Sequence, residues 1–287
     1  MPELPEVEVV KKSLENKLKN LTIKKVNICN NKLRYKINNK KFEKIENQKI
    51  ISIQRRSKYL LINLNKNITI LAHLGMTGKF IIIKKKKRYK TSFYYLLKKN
   101  DTKHDHITLI FNNKTELIYN DVRKFGFIKI FPTTDVMKCS HLLLLGPEPL
   151  SNHFNVSYFQ KYIHNKKIRI KDLLMNQKFV AGLGNIYCNE ILFMCKINPN
   201  KSVEKINQEE IRNIIKFMKK ILKEAISLGG SSIKNFSSTT GEKGNFQQKF
   251  NVYGKEKMNC IRQKCLGSII KVYTSNRSSF FCSKCQK

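Results

Sequence analysis

Residues 170–194 read IKDLLMNQKFVAGLGNIYCNEILFM and hold two short helical patterns on either side of a glycine-rich turn. The first pattern runs from Ile170 to Phe179 and the second from Ile186 to Met194, with Ala181-Gly-Leu-Gly-Asn185 between them. Glycine permits unusual dihedral angles and asparagine is a favoured N-cap, so the stretch predicts helix, tight turn, helix. The N-terminus of such a second helix offers amides to a phosphate, although an ordinary core hairpin has the same pattern.

A longer helical pattern lies downstream. Its apolar stripe places residues three and four positions apart, at Ile211, Ile214, Ile215, Met218, Ile221, Leu222 and Ala225. Asn207 and Glu210 resemble a capping box, and Gly229 stands where a C-cap is expected. Upstream, the two prolines of Gly146-Pro147-Glu148-Pro149 oppose a continuous helix or central strand and indicate an interdomain linker.

The residues before this linker have a different period. Short β-rich runs recur between about residues 22 and 131, at Ile50–Ile53, Tyr59–Leu64, Ile68–Leu71, Lys79–Ile83, His106–Phe111, Thr115–Tyr119 and Phe127–Phe131. This spacing predicts a sandwich or barrel. Glu6 to Leu18 carries apolar residues at helical spacing and predicts a helix that leads into the β-domain. The run from Lys84 to Lys90 predicts a solvated loop that adds non-specific affinity.

Four of the eight cysteines cluster near the C-terminus, as Cys260-x4-Cys265 and Cys282-x2-Cys285. Two close pairs around a hairpin-length insert suit tetrahedral thiolate coordination of one zinc ion, and four filled positions make that zinc structural. The alternative is four unrelated free thiols. Between the pairs, Ile269–Tyr273 and Ser279–Phe281 predict two strands joined near Asn276-Arg277. An arginine at such a tip would be a good phosphate ligand.

The charge of the chain narrows the choice of partner. The 287 residues include 57 Lys and Arg against 20 Asp and Glu, a net charge of +37, with 41% hydrophobic residues. Such a basic yet foldable chain favours a polyanion, most often nucleic acid, with an anionic membrane surface as the alternative. The sequence has no apolar run of membrane-spanning length and no secretory signal, so we expect no membrane association, a cytoplasmic location and reduced thiols.

The first residues offer unusual chemistry. Removal of Met1 would leave Pro2 as an N-terminal secondary amine beside the carboxylate of Glu3. An α-amino group has a pKa about two units or more below that of lysine, so a useful fraction is neutral near neutral pH. Attack by this amine on a sugar C1′ gives an iminium ion, an electron sink suited to elimination. The alternative is that Pro2 and Pro5 merely start a helix.

The N-terminal segment Met1-Pro-Glu-Leu-Pro-Glu-Val-Glu8 resembles that of the bacterial formamidopyrimidine-DNA glycosylases, the Fpg or MutM family. The resemblance continues in order through Gln54–Leu60, His73-Leu-Gly-Met-Thr-Gly78, Lys103–His106, Asp121–Gly126, Leu145–Leu150, Gly184–Tyr187, Val252–Gly254 and the cysteine cluster. It therefore spans essentially the whole chain.

The resemblance implies an α+β multidomain fold: an N-terminal helix plus antiparallel β-sandwich, a helix-two-turn-helix domain and a C-terminal β-hairpin zinc finger. We expect a catalytic domain over residues 1–132, a linker over 133–150, a helical DNA-binding domain over 151–250 and the zinc finger over 251–287. The implied enzyme is a monomer of the bacterial cytoplasm, associated with the nucleoid when bound to damaged double-stranded DNA. It excises oxidised purines, chiefly 8-oxoguanine and formamidopyrimidines, and nicks the strand by β- and δ-elimination.

The family motifs also imply roles for individual residues. Pro2 matches the Schiff-base nucleophile, Glu3 a proton-transfer group, Lys58 the β-elimination lysine and Arg277 the δ-elimination and phosphate-contacting arginine. Glu6 matches a buried structural carboxylate with no chemical step. On an alternating strand Lys58 would share a face with Leu60, Ile62 and Leu64, so it could equally be a snorkelling lysine.

Further matches concern DNA. A glycosylase that everts a base needs side chains to refill the stack, and the resemblance assigns this to Met76, Arg123 and Phe125. Ordinary core packing or a charge at a hairpin tip would explain the same residue types. Residues that match backbone-contacting positions are His104, Lys166, Lys167 and Asn185.

Three departures from the family pattern affect the expectations. Asp121-Val-Arg-Lys-Phe-Gly126 replaces the common Asp-Pro-Arg-Arg-Phe-Gly, which changes a phosphate contact beside the wedge. Gly244-Asn245-Phe246 replaces Gly-Tyr-Phe in the lesion-capping loop, roughly Ser231 to Gln248, and this change affects the expected lesion preference rather than the expected activity. The first cysteine pair has four intervening residues instead of two, so the knuckle around Arg262 must differ.

Two other classes remain open. One is the endonuclease VIII branch of the same superfamily, which acts on oxidised pyrimidines, although Leu4-Pro5 and His73–Gly78 speak against it. The other is a zinc-stabilised nucleic-acid-binding protein without catalysis.

Overall fold

The structure is a computed structural model, and it describes residues 2–92, 95, 102–231 and 246–287. The chain divides into two compact units. The first comprises Met1–Leu143 and Leu228–Asn245, and the second comprises Leu144–Ser227 and Phe246–Lys287.

The first unit is an antiparallel β-sandwich preceded by a helix, as expected. Its helices are α1 (Leu4–Leu18), α2 (Asn39–Glu43) and α3 (Thr133–Val136). Its strands are β1 (Ile23–Ile28), β2 (Ile50–Arg56), β3 (Tyr59–Leu64), β4 (Ile68–His73), β5 (Lys79–Lys84), β6 (Lys87–Lys90), β7 (Asp105–Phe111), β8 (Glu116–Asn120) and β9 (Phe127–Pro132). One sheet has the order β1-β7-β8-β5-β6 and the other β2-β3-β4-β9.

The core of this unit lies between the two sheets and α1. Alternate residues of β3 and β4 point into it, and so do those of β5 and β8. The buried stripe of α1 consists of Val7, Val10, Leu14 and Leu18, each fully buried. The helix thus closes one side of the sandwich and fixes the position of the N-terminus.

The sequence prediction for Lys84–Lys90 is wrong. Lys84–Lys90 is a hairpin rather than a loop, in which Lys84 pairs with Lys87 and β6 forms a sheet edge. The two turn residues, Lys85 and Lys86, have φ of 49° and 61°, as a tight two-residue hairpin turn requires. The strand was missed because three of its four residues are basic and Tyr89 is its one aromatic residue, since an edge strand needs few apolar residues.

The second unit contains four α-helices and a β-hairpin among its described residues. These are α4 (Val156–Ile163), α5 (Ile170–Met175), α6 (Asn185–Met194), α7 (Gln208–Ser227), β10 (Ile269–Thr274) and β11 (Arg277–Cys282). The capping box of α7 is confirmed, because Asn207 N donates to Glu210 and Glu210 N donates to Asn207 Oδ1. The first helix of the predicted pair, α5, ends at Met175, four residues before the predicted end at Phe179. Helix α4 was not predicted from the sequence. No helix among the described residues is long and apolar enough to cross a bilayer.

Candidate functional site

The N-terminal residues are buried and held by a carboxylate. Pro2 is buried, Glu3 is 3% exposed and Glu6 is 2% exposed. The Oε2 atom of Glu6 accepts a hydrogen bond of 2.9 Å from Glu3 N, and its Oε1 accepts two of 2.8 Å from Ser231 N and Oγ. Gly230 has φ of 81°, and a Cβ there would lie 3.2 Å from the Glu6 side chain. Glu6 therefore joins the start of α1 to Ser231, the first residue of the segment Ser231 to Gln248 that was expected to cap the lesion. Residues 232–245 of this segment, including Gly244 and Asn245, lie outside the described residues, as does Met1.

Lys58 lies in the turn between β2 and β3 rather than on the strand itself, and it is only 7% exposed. Ser57 before it has φ of 55°. Arg55 fixes the turn, since its Nε donates to Glu8 of α1 at 2.6 Å and its Nη1 donates to the Ser57 carbonyl at 3.0 Å. The helix that directly follows Pro2 and Glu3 is thus tied to the turn that carries Lys58.

The proposed wedge residues project from two loops that meet backbone to backbone. Met76 is 37% exposed and Phe125 47%, and the Arg123 guanidinium lies 4.7 Å from the Phe125 ring centroid. Gly75 has φ of 57°, and a Cβ there would come within 2.4 Å of Gly126 N. A side chain at Gly75 would separate the loops. Met76, Arg123 and Phe125 are therefore exposed on two loops that are in contact, which ordinary core packing does not explain.

A fully buried carboxylate organises the turn of the wedge. Asp121 accepts hydrogen bonds from Thr77 Oγ1 at 2.5 Å, from Gly126 N at 2.8 Å and from Arg123 N at 3.3 Å. Lys124 in the same turn has φ of 57°, and lysine replaces the common arginine there. The backbone N–H of Asp121 also donates a hydrogen bond of 3.1 Å to the carbonyl of His104, which is partly exposed.

In the second unit, Asn185 is the first residue of α6, directly after the turn that follows α5. Gly184, not Asn185, is the N-cap of α6. The Asn185 side chain instead donates from Nδ2 to the Ser278 carbonyl at 2.9 Å. The other two predicted contacts lie in the α4–α5 loop, where Lys167 is exposed and Lys166 Nζ lies 3.4 Å from the Tyr162 ring centroid.

Arg277 is exposed at the first position of β11, opposite Thr274. Ser275 and Asn276 form the two-residue turn with φ of 47° and 59°. Lys171 of α5, which is 1% exposed, contacts the residues that follow Arg277 and was not predicted from the sequence. Its Nζ donates to the Ser278 carbonyl at 2.8 Å and to Ser279 Oγ at 2.7 Å. The only signal for it was a lysine inside an apolar helical stretch.

The four clustered cysteines can hold a metal ion. Their sulfur atoms all lie within 4.8 Å of one another, with Cys260 3.9 Å from Cys285 and Cys265 3.6 Å from Cys282. Tetrahedral zinc–thiolate bonds place sulfur atoms about 3.8 Å apart, so the arrangement fits zinc. Burial favours the neutral Cys282 thiol, but hydrogen bonds from the Cys285 and Lys284 amides outweigh it and lower the pKa of Cys282 to about 7.

The wider knuckle between the first two cysteines packs on α6. Arg262 Nη2 donates to the carbonyls of Phe193 at 2.5 Å and Met194 at 3.2 Å, and its guanidinium lies 4.5 Å from the Phe193 ring centroid. A cation at the C-terminal end of a helix also meets the negative end of its dipole. The extra residues thus give the knuckle an anchor.

Two family models match the chain. Residues 1–128 match the formamidopyrimidine-DNA glycosylase N-terminal domain, and residues 145–237 match the formamidopyrimidine-DNA glycosylase H2TH domain.

Curated relatives and solved structures agree over the full length. The chain is 40% identical to a formamidopyrimidine-DNA glycosylase of Rickettsia bellii, with all of both chains covered, and 35% identical to one of Ruegeria, again with all of both covered. It matches a crystal structure of a Lactococcus lactis Fpg mutant in complex with Fapy-dG-containing DNA, with 32% identity, a TM-score of 0.85 and full coverage of both chains. It also matches a Lactococcus lactis Fpg complex with abasic-site DNA, with a TM-score of 0.84, 32% identity and 99% of each chain covered.

Proposed function

This chain belongs to the formamidopyrimidine-DNA glycosylase family, and on that basis we propose that it excises oxidised purines, chiefly 8-oxoguanine and formamidopyrimidines, from duplex DNA. It is a DNA glycosylase, and the family combines this activity with cleavage at abasic sites. The observation that carries the proposal is the buried Pro2-Glu3 pair at the start of α1, tied through Glu8 and Arg55 to the turn of Lys58.

The proposed chemistry begins at the nitrogen of Pro2 once Met1 is removed. This nitrogen attacks C1′ of the everted deoxyribose and gives up its own proton, and the C1′–base bond breaks as the base leaves with one proton. Glu3 transfers a second proton to O4′ as the sugar ring opens and the C=N bond forms. The product is an iminium ion that bears positive charge without protonation. The ion draws electrons from C2′, which makes a C2′ proton acidic.

Strand cleavage then follows by elimination. Loss of a C2′ proton expels the 3′ phosphate, and a second elimination expels the 5′ phosphate. We assign Lys58 to the first elimination and Arg277 to the second, where its guanidinium pairs with the departing phosphate. Lys171 and Asn185 are positioning residues, because both donate to the Ser278 carbonyl next to Arg277.

Eversion of the base leaves a gap in the helix. We propose that Met76, Arg123 and Phe125 fill it, since intercalating side chains repay part of the unstacking energy of a few kcal/mol. His104, Lys166, Lys167 and Asn185 bind the backbone and set register without reading the lesion.

The bound metal is proposed to be one structural zinc ion. When bound, it supplies no reaction step but fixes the fold around four thiolates. Cys282 ends β11 and Arg277 begins it, so the metal site holds one end of the strand whose other end carries the phosphate ligand. The enzyme is proposed to act as a monomer in the bacterial cytoplasm.

Excision assays on a lesion panel test this function. We expect activity on 8-oxoguanine paired with cytosine and on ring-opened purines, and little on oxidised pyrimidines. Preference for pyrimidines would favour an endonuclease VIII activity. Binding without excision of any lesion by a correctly processed chain would favour a binding-only protein.

A further inference from the structure

A second group of basic side chains lies in the first unit, outside the catalytic residues assigned above. Lys129 of β9 and His141 are both partly buried, and Lys129 Nζ lies 3.0 Å from His141 Nε2. We call the set Arg34, Tyr35, Lys129 and His141 the basic aromatic cluster. Lys129 Nζ lies 3.6 Å from the centroid of the Tyr35 ring, and the Arg34 guanidinium lies 5.7 Å from it.

Aromatic rings of Phe127 and Tyr59 pack against this cluster. The His141 ring centroid lies 4.5 Å from that of the buried Phe127 and 6.2 Å from that of Tyr59. The Phe127 ring in turn stacks on His73 at 5.7 Å. Phe127 follows the exposed Phe125 by two residues, and His73 precedes Met76 by three. The cluster therefore adjoins the wedge loops within the same unit.

The charges that act on the cluster are cationic. Burial, then Lys129 and Arg34, lower the pKa of His141, whereas burial, then Lys58, Arg34 and His141, lower the pKa of His73 to about 4. Burial and Arg34 lower the pKa of Lys129, opposed by Cys139. Since the Lys129 ammonium donates to His141 Nε2, His141 is neutral here. The charged residues that shift these pKa values include Arg34, Lys58 and Lys129 and, in the described part of the chain, no carboxylate, and such a site favours an anion.

We propose that Lys129 and His141 bind a backbone phosphate of the DNA beside the wedge, and that His141 takes up a proton from solvent when the phosphate binds. This inference rests on the proposed function, because DNA is the polyanion. On binding, the Lys129–His141 hydrogen bond breaks, the imidazole gains one proton at Nε2, and both groups donate to phosphate oxygens. The groups that face or act on His141 are Arg34, Tyr35, Tyr59, His73 and Lys129, and Cys139 acts on Lys129.

The test uses a duplex with a tetrahydrofuran abasic analogue, which binds but forms no imine. Affinity is measured over a range of salt concentrations for the wild type, Lys129→Met and Lys66→Met. Lys66 is an exposed lysine in the turn at the opposite end of β3 and β4, so it controls for loss of one charge. We expect Lys129→Met to reduce the slope of log K against log salt by about 0.9, as loss of one phosphate contact does, and Lys66→Met to leave it unchanged. Lys129→Arg retains the slope.

Proton uptake supplies an independent readout. Calorimetry in two buffers of different ionisation enthalpy at mildly acid pH counts the protons taken up on binding. We expect uptake by the wild type and reduced uptake by His141→Gln, which also serves if Lys129→Met fails to fold. Equal slopes for Lys129→Met and Lys66→Met, or uptake unchanged in His141→Gln, would overturn the proposal. Absence of any duplex binding by the wild type would instead refute the proposed function.

Discussion

Replacement of Asp121 by asparagine tests how the wedge is held. Asp121 is fully buried, and its two oxygens accept from Thr77 Oγ1 and Gly126 N at 2.5 and 2.8 Å. Asparagine has only one acceptor oxygen in the same shape. With its oxygen towards Gly126 N, the amide NH₂ takes the place of the oxygen that accepts from Thr77 Oγ1 and Arg123 N, so these two donors lose that acceptor. With the oxygen reversed, the NH₂ faces the donor Gly126 N.

The cost follows from these contacts. One hydrogen bond to a charged acceptor contributes about 1.5–3 kcal/mol, and a buried donor without an acceptor costs about 1–3 kcal/mol. We expect Asp121→Asn to lose about 3 kcal/mol of stability or more, and the melting temperature to fall by roughly 6–12 °C. The wedge turn should also lose its fixed position, so base eversion slows. Fluorescence of 2-aminopurine placed beside the lesion reports that step, and calorimetry reports the stability.

The matched control is Asp135→Asn, since Asp135 is exposed. It should change neither the melting temperature nor eversion. The reasoning is refuted if Asp121→Asn melts with the wild type and everts the base at the same rate.

Two other predictions concern metal and pH. Chelation should release one zinc ion per chain, measured with a metal-sensitive dye, and should weaken DNA binding. Arg262→Met should speed this release because it removes the anchor on α6. Release of no zinc would contradict the proposed metal site. Burial and neighbouring cations lower the pKa of His73 to about 4, so between pH 6.5 and 4 only the unfolded chain takes up this proton. The contribution of His73 to the free energy of unfolding is complete above pH 6.5. As the pH drops from 6.5 to 4, this free energy, measured by urea titration, should fall by about 1.4 kcal/mol per pH unit, and His73→Asn should remove this part of the pH dependence.

Local patterns predicted much of the fold from sequence. Strands β2 to β5 and β7 to β9 follow runs of β-branched and aromatic residues, and the amphipathic α7 follows its apolar stripe and capping box. Elements whose stability depends on neighbours were missed. Strand β1 was not singled out, because it holds three polar residues and depends on pairing with β7.

The candidate site divides in the same way. Cysteine spacing predicted a metal cluster, since ligand distance depends on short loops. Pro2 and Glu3 gained their assignment from the family resemblance, because a proline near the start of a helix is ordinary. Lys171 contacts Ser278 and Ser279, and Asp121 contacts Thr77, partners that are distant in sequence, so these contacts exist only in the folded chain.

The central claim is that the nitrogen of Pro2 forms the covalent intermediate. Its most direct test is borohydride reduction of the enzyme on 8-oxoguanine duplex, followed by proteolysis and mass spectrometry of the DNA-bearing peptide. We predict a chain that starts at Pro2 and carries the reduced sugar on that residue. In Pro2→Gly, the adduct should form far more slowly than in the wild type. An adduct on a lysine peptide, or full activity with Met1 still attached, would contradict it.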